Sequence, residues 1–158
     1  MDIIDLLLLD HDDMRLELVN INRGLLKPDL PDRLRNFIAH LTVHESVESD
    51  ILFKKVRETS EPEFEEHFLS HYRSEHSDIL KEVAALVKSL EIADYRIIQH
   101  NFFAFDAFVE SHLRDEERFL FPVLRKKLSP QLLMALGAEA ESRLNEYQKR
   151  PHITLKAV

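Results

Sequence analysis

The sequence predicts an all-α protein, an up-down-up-down antiparallel four-helix bundle with an additional C-terminal helix. Three observations predict it. Glycine is nearly absent, with two residues in a chain of 158, while Leu, Glu, Lys and Ala are abundant. Four long stretches place apolar residues three and four apart, as a helix that buries one stripe does. The breaks between them are short and built from Pro, Asp and Ser, which suits neighbouring helices that reverse direction.

Each element follows from its own punctuation, with boundaries good to about two to four residues. Helix 1 spans Ile3 to Leu26 and is ended by "KPDLP" (Lys27 to Pro31). Helix 2 spans Asp32 to Glu58. "TSEPEFEE" restarts the chain, with Ser60 and Glu63 spaced as a capping box and Pro62 suited to a first helical turn. Helix 3 then runs to Leu90. Helix 4 spans Asp94 to Phe121, where Pro122 kinks or ends it because it lacks an N–H. "LSPQ" opens a fifth helix, with Ser129 as N-cap and Pro130 at the first position, lasting to Arg150 before the tail "PHITLKAV". Leu132, Leu133, Leu136 and Leu144 would let this helix either cover the bundle or make a dimer. Residues 1–128 are expected to form the bundle and 129–158 a helix and tail of the same domain.

Composition narrows the chemistry. The chain is 44% hydrophobic and has a formal charge of −8, which gives it no general attraction for nucleic acid or anionic lipid. It has no Cys, which excludes disulfides, thiolate catalysis and Cys-based zinc or iron–sulfur sites. The start "MDIIDLLLLDHDD" lacks the basic segment of a signal peptide, and no run reaches the roughly 18–20 apolar residues of a membrane span. A cytoplasmic protein, with no nucleic-acid or membrane partner and either monomeric or homodimeric, is expected.

The nine His then require a positional audit. Helix 1 has the stripe Ile4, Leu7, His11, Met14, Leu18, Ile21, Leu25. Helix 2 has Leu34, Phe37, Leu41, His44, Glu48, Ile51. Helix 3 has Leu69, Tyr72, His76, Ile79, Val83, Leu86, Leu90. Helix 4 has Ile98, Phe102, Phe105, Val109, His112, Glu116, Phe119, Val123. Each stripe is interrupted by one His, and two of them by a Glu four residues later. At about 1.5 Å per residue the four His lie at depths that agree within about one turn. Four imidazoles and two carboxylates should therefore meet in one layer of the core. Burying them costs several kcal/mol unless they are paired with one another or hold a metal. Of the others, His67, His71 and His100 fall off the stripes and His152 lies in the tail, so all four are expected at the surface. His40 sits about 60–70° from its stripe, where it would orient a ligand or simply flank the core. Glu45, Glu75 and Glu117 adjoin stripe residues and read first as solvated flank.

Imidazole nitrogens and carboxylates suit iron, manganese or zinc. A His and a Glu four apart share a helix face and can meet the same metal. Two such pairs, His44/Glu48 and His112/Glu116, with His11 and His76, exceed the four donors of a closed zinc site and favour two cations.

The stretches "LLDHDDMR", "HESVESDILF", "SEHSDIL" and above all "HLRDEERFLFPVL" resemble the hemerythrin-like, or HHE cation-binding, domain family over about residues 3–127. The resemblance implies a four-helix bundle around a non-haem di-iron centre, two iron ions (Fe2+/Fe3+) joined by an oxo or hydroxo bridge. Zinc and manganese would be substitutes. On the matching positions it implies His11, His44, His76 and His112 as terminal ligands and Glu48 and Glu116 as bridges. The sequence departs from the oxygen carriers of that family in three places. The position of their additional helix 3 histidine is Tyr72, which would ligate, hydrogen-bond to the bridge or merely pack. Their helix 4 carboxylate lies one residue further on, at Glu117 here, although Glu116 is on the stripe. Helix 2 ends "LFK" where the family often has "LFP". Glu45 and His40 are further candidates for additional or outer ligands. The donor count leaves about two of the twelve positions of two octahedral irons open. This favours binding or sensing of O2, NO, peroxide or iron over simple oxygen carriage. A di-iron peroxidase, oxidase or NO-reducing enzyme is the alternative, and a metal that only stabilises the bundle is a third.

Overall fold

The computed structural model describes residues 1–92 and 94–148, and within them the chain is all-helical. The elements are α1 (Ile3–Arg23), α2 (Leu30–Val47), a π-helical turn (Glu48–Phe53), α3 (Lys54–Thr59), α4 (Pro62–Phe64), a second π turn (Glu65–Leu69), α5 (Ser70–Ile92), α6 (Tyr95–Asp115), a third π turn (Glu116–Leu120), α7 (Phe121–Lys127) and α8 (Pro130–Gln148). His152, the tail and the end of the fifth helix lie outside the described residues. No helix among the described residues is long and apolar enough to cross a membrane.

Local chemistry sets the ends. Asp2 caps α1, its Oδ1 accepting from the N–H groups of Ile4 and Asp5, both at 2.9 Å. α1 stops at Arg23, three residues short of the expected end. Gly24 leaves the helical conformation (φ −120°, ψ 26°). Arg33 of α2 donates to the carbonyls of Asn20 at 2.8 Å and Gly24 at 2.7 Å, which satisfies acceptors the helix leaves open. Ser129 caps its helix as expected, accepting from Leu132 N at 3.2 Å, and Asp94, expected as the first residue of its helix, is the cap instead, accepting from Arg96 N at 2.9 Å. The capping box at Ser60 does not form. Its hydroxyl has no hydrogen bond, and the chain instead turns on a backbone bond from Phe64 N to Glu61 O.

Pro122 does not end its helix either. It occupies the first turn of α7, where a missing N–H costs little, because a π turn separates it from α6. That turn also corrects the stripe. A π turn spends one more residue per turn than an α turn. After Glu116 the buried face therefore resumes at Leu120 and Leu124, both fully buried, and Phe119 is 58% exposed.

The helices enclose two apolar clusters. One holds Ile3, Ile4 and Leu7 of α1, Val47, Ile51, Leu52, Phe53, Leu69, Tyr72, Leu120, Phe121 and Leu124. The other holds the stripe residues Met14, Leu18, Ile21 and Leu25 of α1 and the loop after it, Leu30, Leu34, Phe37 and Leu41 of α2, Ile79 and Leu86 of α5, and Ile98, Phe102, Phe105, Val109 and Leu113 of α6. α1 passes from the first to the second at His11, α2 returns at His44, α5 crosses at His76, and α6 returns just beyond His112.

α8 packs Leu133, Leu136, Ala140 and Leu144 into the first cluster, so it covers the core. Arg143 fastens it to the Glu48–Phe53 turn by donating to Ser46 O at 3.1 Å and Asp50 Oδ2 at 2.8 Å. Gly137 lies against the start of α1, where an added Cβ would meet Met1 O at 2.3 Å and Asp2 C at 2.9 Å. Backbone cannot yield as a side-chain tip can. Gly137→Ala is expected to lower stability by about 1–3 kcal/mol in chemical denaturation, despite alanine's better helix propensity.

Candidate metal centre

The polar layer lies between the two apolar clusters. His11 comes from α1, His44 from α2, His76 from α5 and His112 from α6. Glu48 and Glu116 each stand one helical turn after a His and each begin a π turn. π turns inside helices recur at functional sites because they re-aim a side chain without ending the helix. The residues that follow close the layer. Phe53 stacks on His76 with ring centres 5.7 Å apart, and Phe121 on His11 at 5.5 Å.

The imidazoles meet in two pairs, His11 with His44 at 4.9 Å between ring centres and His76 with His112 at 5.0 Å. The carboxylates run between the pairs. Glu116 Oε2 lies 3.4 Å from His11 Nε2, while its Oε1 lies 3.3 Å from His112 Nε2 and 3.7 Å from His76 Nε2. Glu48 Oε2 lies 3.8 Å from His44 Nε2 and 3.3 Å from His76 Nε2. Two donor groups result. His11, His44, Glu48 and Glu116 form one; Glu45, Glu48, His76 and His112 form the other. Within each, donor atoms lie within 4.8 Å of one another. Donors about 2.0–2.2 Å from one cation would have this spacing.

The hydrogen-bond pattern fits the same chemistry. Each imidazole turns Nδ1 to a further carboxylate. His11 bonds to Glu117 at 2.9 Å, His44 to Asp10 at 2.8 Å and His112 to Glu75 at 3.0 Å, all three outside the donor groups. His76 Nδ1 pairs at 2.6 Å with Glu45, which belongs to the second donor group. All four Nε2 atoms and all four oxygens of Glu48 and Glu116 are buried without a hydrogen bond. An unmade bond on a buried polar group costs about 1–3 kcal/mol. Eight such atoms aimed at one another suit bound cations, with His11, His44 and His112 each oriented by an outer carboxylate as metal-bound His usually are.

The electrostatics agree. Burial opposes a charge on His11, but Glu116 and Glu117 raise it to about 9. Burial likewise opposes charge on His76 and His112, yet Glu116, Glu45 and Glu48 lift the first to about 12, and Glu116, Glu45 and Glu75 lift the second to about 10. Glu48 is held above the ordinary carboxylate range by burial and by the charge of Glu116. Burial pushes Glu116 the same way, but His112, His11 and His76 outweigh it and keep it well below. The carboxylates of the layer thus favour positive charge at His11, His76 and His112.

The structure brings together all six residues taken from the stripes. It also separates the candidates left open. Glu116 is fully buried in the layer, whereas Glu117 accepts from His11 on the far side and pairs with Arg15 at 2.8 Å. His40 is buried outside the layer. It bridges Glu17 at 2.7 Å and Asp10 at 2.9 Å, and Asp10 in turn holds His44. Tyr72 packs on Phe68 with ring centres 5.7 Å apart. Burial and the charges of Glu116, Glu75 and Asp115 push its phenol up, which disfavours the phenolate form. His67, His71 and His100 are exposed.

Glu45 and Glu75 do not stand as solvated flank. Each is largely covered, Glu45 pairing with His76 and Glu75 hydrogen-bonding to His112. Asp10 was not singled out at all. The available signal was an acidic residue one place before a stripe His, as also at Glu75–His76.

Residues 67–142 match the family model described as the hemerythrin HHE cation binding domain. Over that stretch, which holds His76, His112 and Glu116, the chain is similar to that domain. His11, His44, Glu45 and Glu48 precede it and join the site through geometry alone. No curated protein and no solved structure matches the chain.

Proposed function

We propose, with that hemerythrin match as premise, that the protein holds two iron ions in the layer and uses them to bind or sense O2, NO, peroxide or iron itself. The observation that carries the reading is the set of four unbonded Nε2 atoms facing two shared, unbonded carboxylates. His11 and His44 would serve one cation, and His76, His112 and Glu45 the other. Glu48 and Glu116 would bridge them. Glu45 makes the two positions unequal, with the His11/His44 side the poorer in donors and so the more open to a small ligand. Bound iron would supply a redox-active Lewis acid. The protein's own part is to fix four imidazoles by outer carboxylates and to exclude water with Phe53 and Phe121. Tyr72 is assigned to packing. Zinc and manganese suit the same donors.

The alternating passage of α1, α2, α5 and α6 between the two apolar clusters supports an up-down-up-down antiparallel bundle. The seating of α8 in the first cluster supports one domain over 1–128 and 129–158. A cytoplasmic monomer or homodimer completes the proposal.

Iron quantification with a visible spectrum, with and without O2, tests it. About two irons per chain and an O2-sensitive band are expected. Protein grown in iron that contains none, together with a His112→Ala variant of unchanged thermal stability, would overturn it. Turnover of H2O2 or NO would move the reading to a redox enzyme.

A further inference from the structure

We propose that His71, Glu75 and Asp115 form a third, solvent-facing site for one divalent first-row cation beside the buried layer. Donor atoms of these three residues lie within 4.8 Å of one another, the same span that bounds the two buried groups. His71 and Glu75 stand one turn apart on α5, and Asp115 ends α6, so two packed helices fix the set. One imidazole and two carboxylates leave coordination positions for water, as in open zinc, manganese or iron(II) sites.

Glu75 sets the cluster apart from ordinary surface acids. Its Oε2 lies 3.0 Å from His112 Nδ1 and its Oε1 3.3 Å from His71 Nε2. One carboxylate thus faces the buried layer with one oxygen and the outer set with the other. Glu75 precedes His76 in the chain, and the His76 side chain is 11% exposed, against at most 1% for the other three layer imidazoles. The plainer account is an exposed i,i+4 pair of His71 and Glu75 with Asp115 nearby, which would bind no cation.

The test is a Zn2+ titration of the full chain after chelation. The wild type is expected to take up a tight pair and then a weaker third ion. A His71→Ala/Asp115→Asn double variant should lose the third and keep the pair. Glu75 is left in place because it also orients His112. Both substitutions are away from the core, and an unchanged circular dichroism spectrum and unfolding midpoint check the fold. A wild type that saturates with the pair, or a third ion that persists in the double variant, overturns the proposal. Failure of the buried centre would read differently, as the absence of a tight pair from both proteins.

Discussion

Glu48→Gln is expected to remove the second cation and, in chelated protein, to leave the fold as stable as before or more so. The two effects have one cause. Glu48 is fully buried, near Glu116, with both oxygens unbonded. Its carboxyl is held above the ordinary range, so the folded chain binds that proton more tightly than the unfolded one. A group raised in this way costs stability once pH exceeds the ordinary carboxylate value, because ionisation favours unfolding. Glutamine keeps the volume and removes the charge, which relieves about 1–3 kcal/mol. It cannot bridge two cations. In the wild type, free cation at a thousand times its dissociation constant adds about 4 kcal/mol for each site filled. For a domain of this size that is about 8–16 °C in Tm per site. With one of two sites lost, the variant should keep no more than about half of the wild-type gain. Thermal unfolding of both proteins, with chelator and with iron or zinc, reads both effects. A variant that gains as much as the wild type, or is clearly less stable when chelated, would show that Glu48 serves the fold rather than a cation.

Such opposed effects explain why the centre was legible in the sequence while its surroundings were not. A His or Glu on an apolar stripe costs energy that packing cannot return, so His11, His44, Glu48, His76, His112 and Glu116 stand out against Leu and Phe at the same spacing. The outer carboxylates do not conflict with their positions in this way. Asp10, Glu45, Glu75 and Glu117 each lie one residue from a layer residue, about 100° around the helix. Solvated flank is the ordinary fate of that position. Only the path of the neighbouring helix decides that Asp10 reaches both His40 and His44. The π turns were hidden for a related reason. A wide turn has little compositional mark, and a stripe extrapolated from Glu116 lands on Phe119 when the buried residue is Leu120. Helix ends failed where a long side chain substituted for the local signal, as Arg33 does for the end of α1.

Stability of the chelated protein is expected to fall as pH rises above about 6.5, while the stabilisation by added cation grows over the same range. His11 is raised to about 9, and His112 to about 10. Burial opposes charge on His40, but Asp10 and Glu17 raise it to about 10. His76 is raised to about 12. Between the ordinary imidazole value and these values the folded chain holds protons that the unfolded chain has released. The slope of unfolding free energy with pH is then negative, about 1.4 kcal/mol per pH unit for each full proton of difference. The stabilisation is complete below about 6.5 and is lost as pH passes through 9 to 12. A cation reverses this, because it binds neutral imidazole and must displace the protons on His11, His76 and His112. Its apparent affinity should rise about tenfold per pH unit for each proton displaced. His40 pairs with Asp10 and Glu17, and none of the three belongs to a donor group, so its share of the slope remains when cations are bound. Unfolding midpoints at pH 6.5, 7.5 and 8.5, with chelator and with zinc, should therefore diverge. A layer of His and Glu that only bonded to itself would give the falling curve alone. A chelated protein whose midpoint is flat or rising over that range would mean that the imidazoles are not held protonated by their carboxylates.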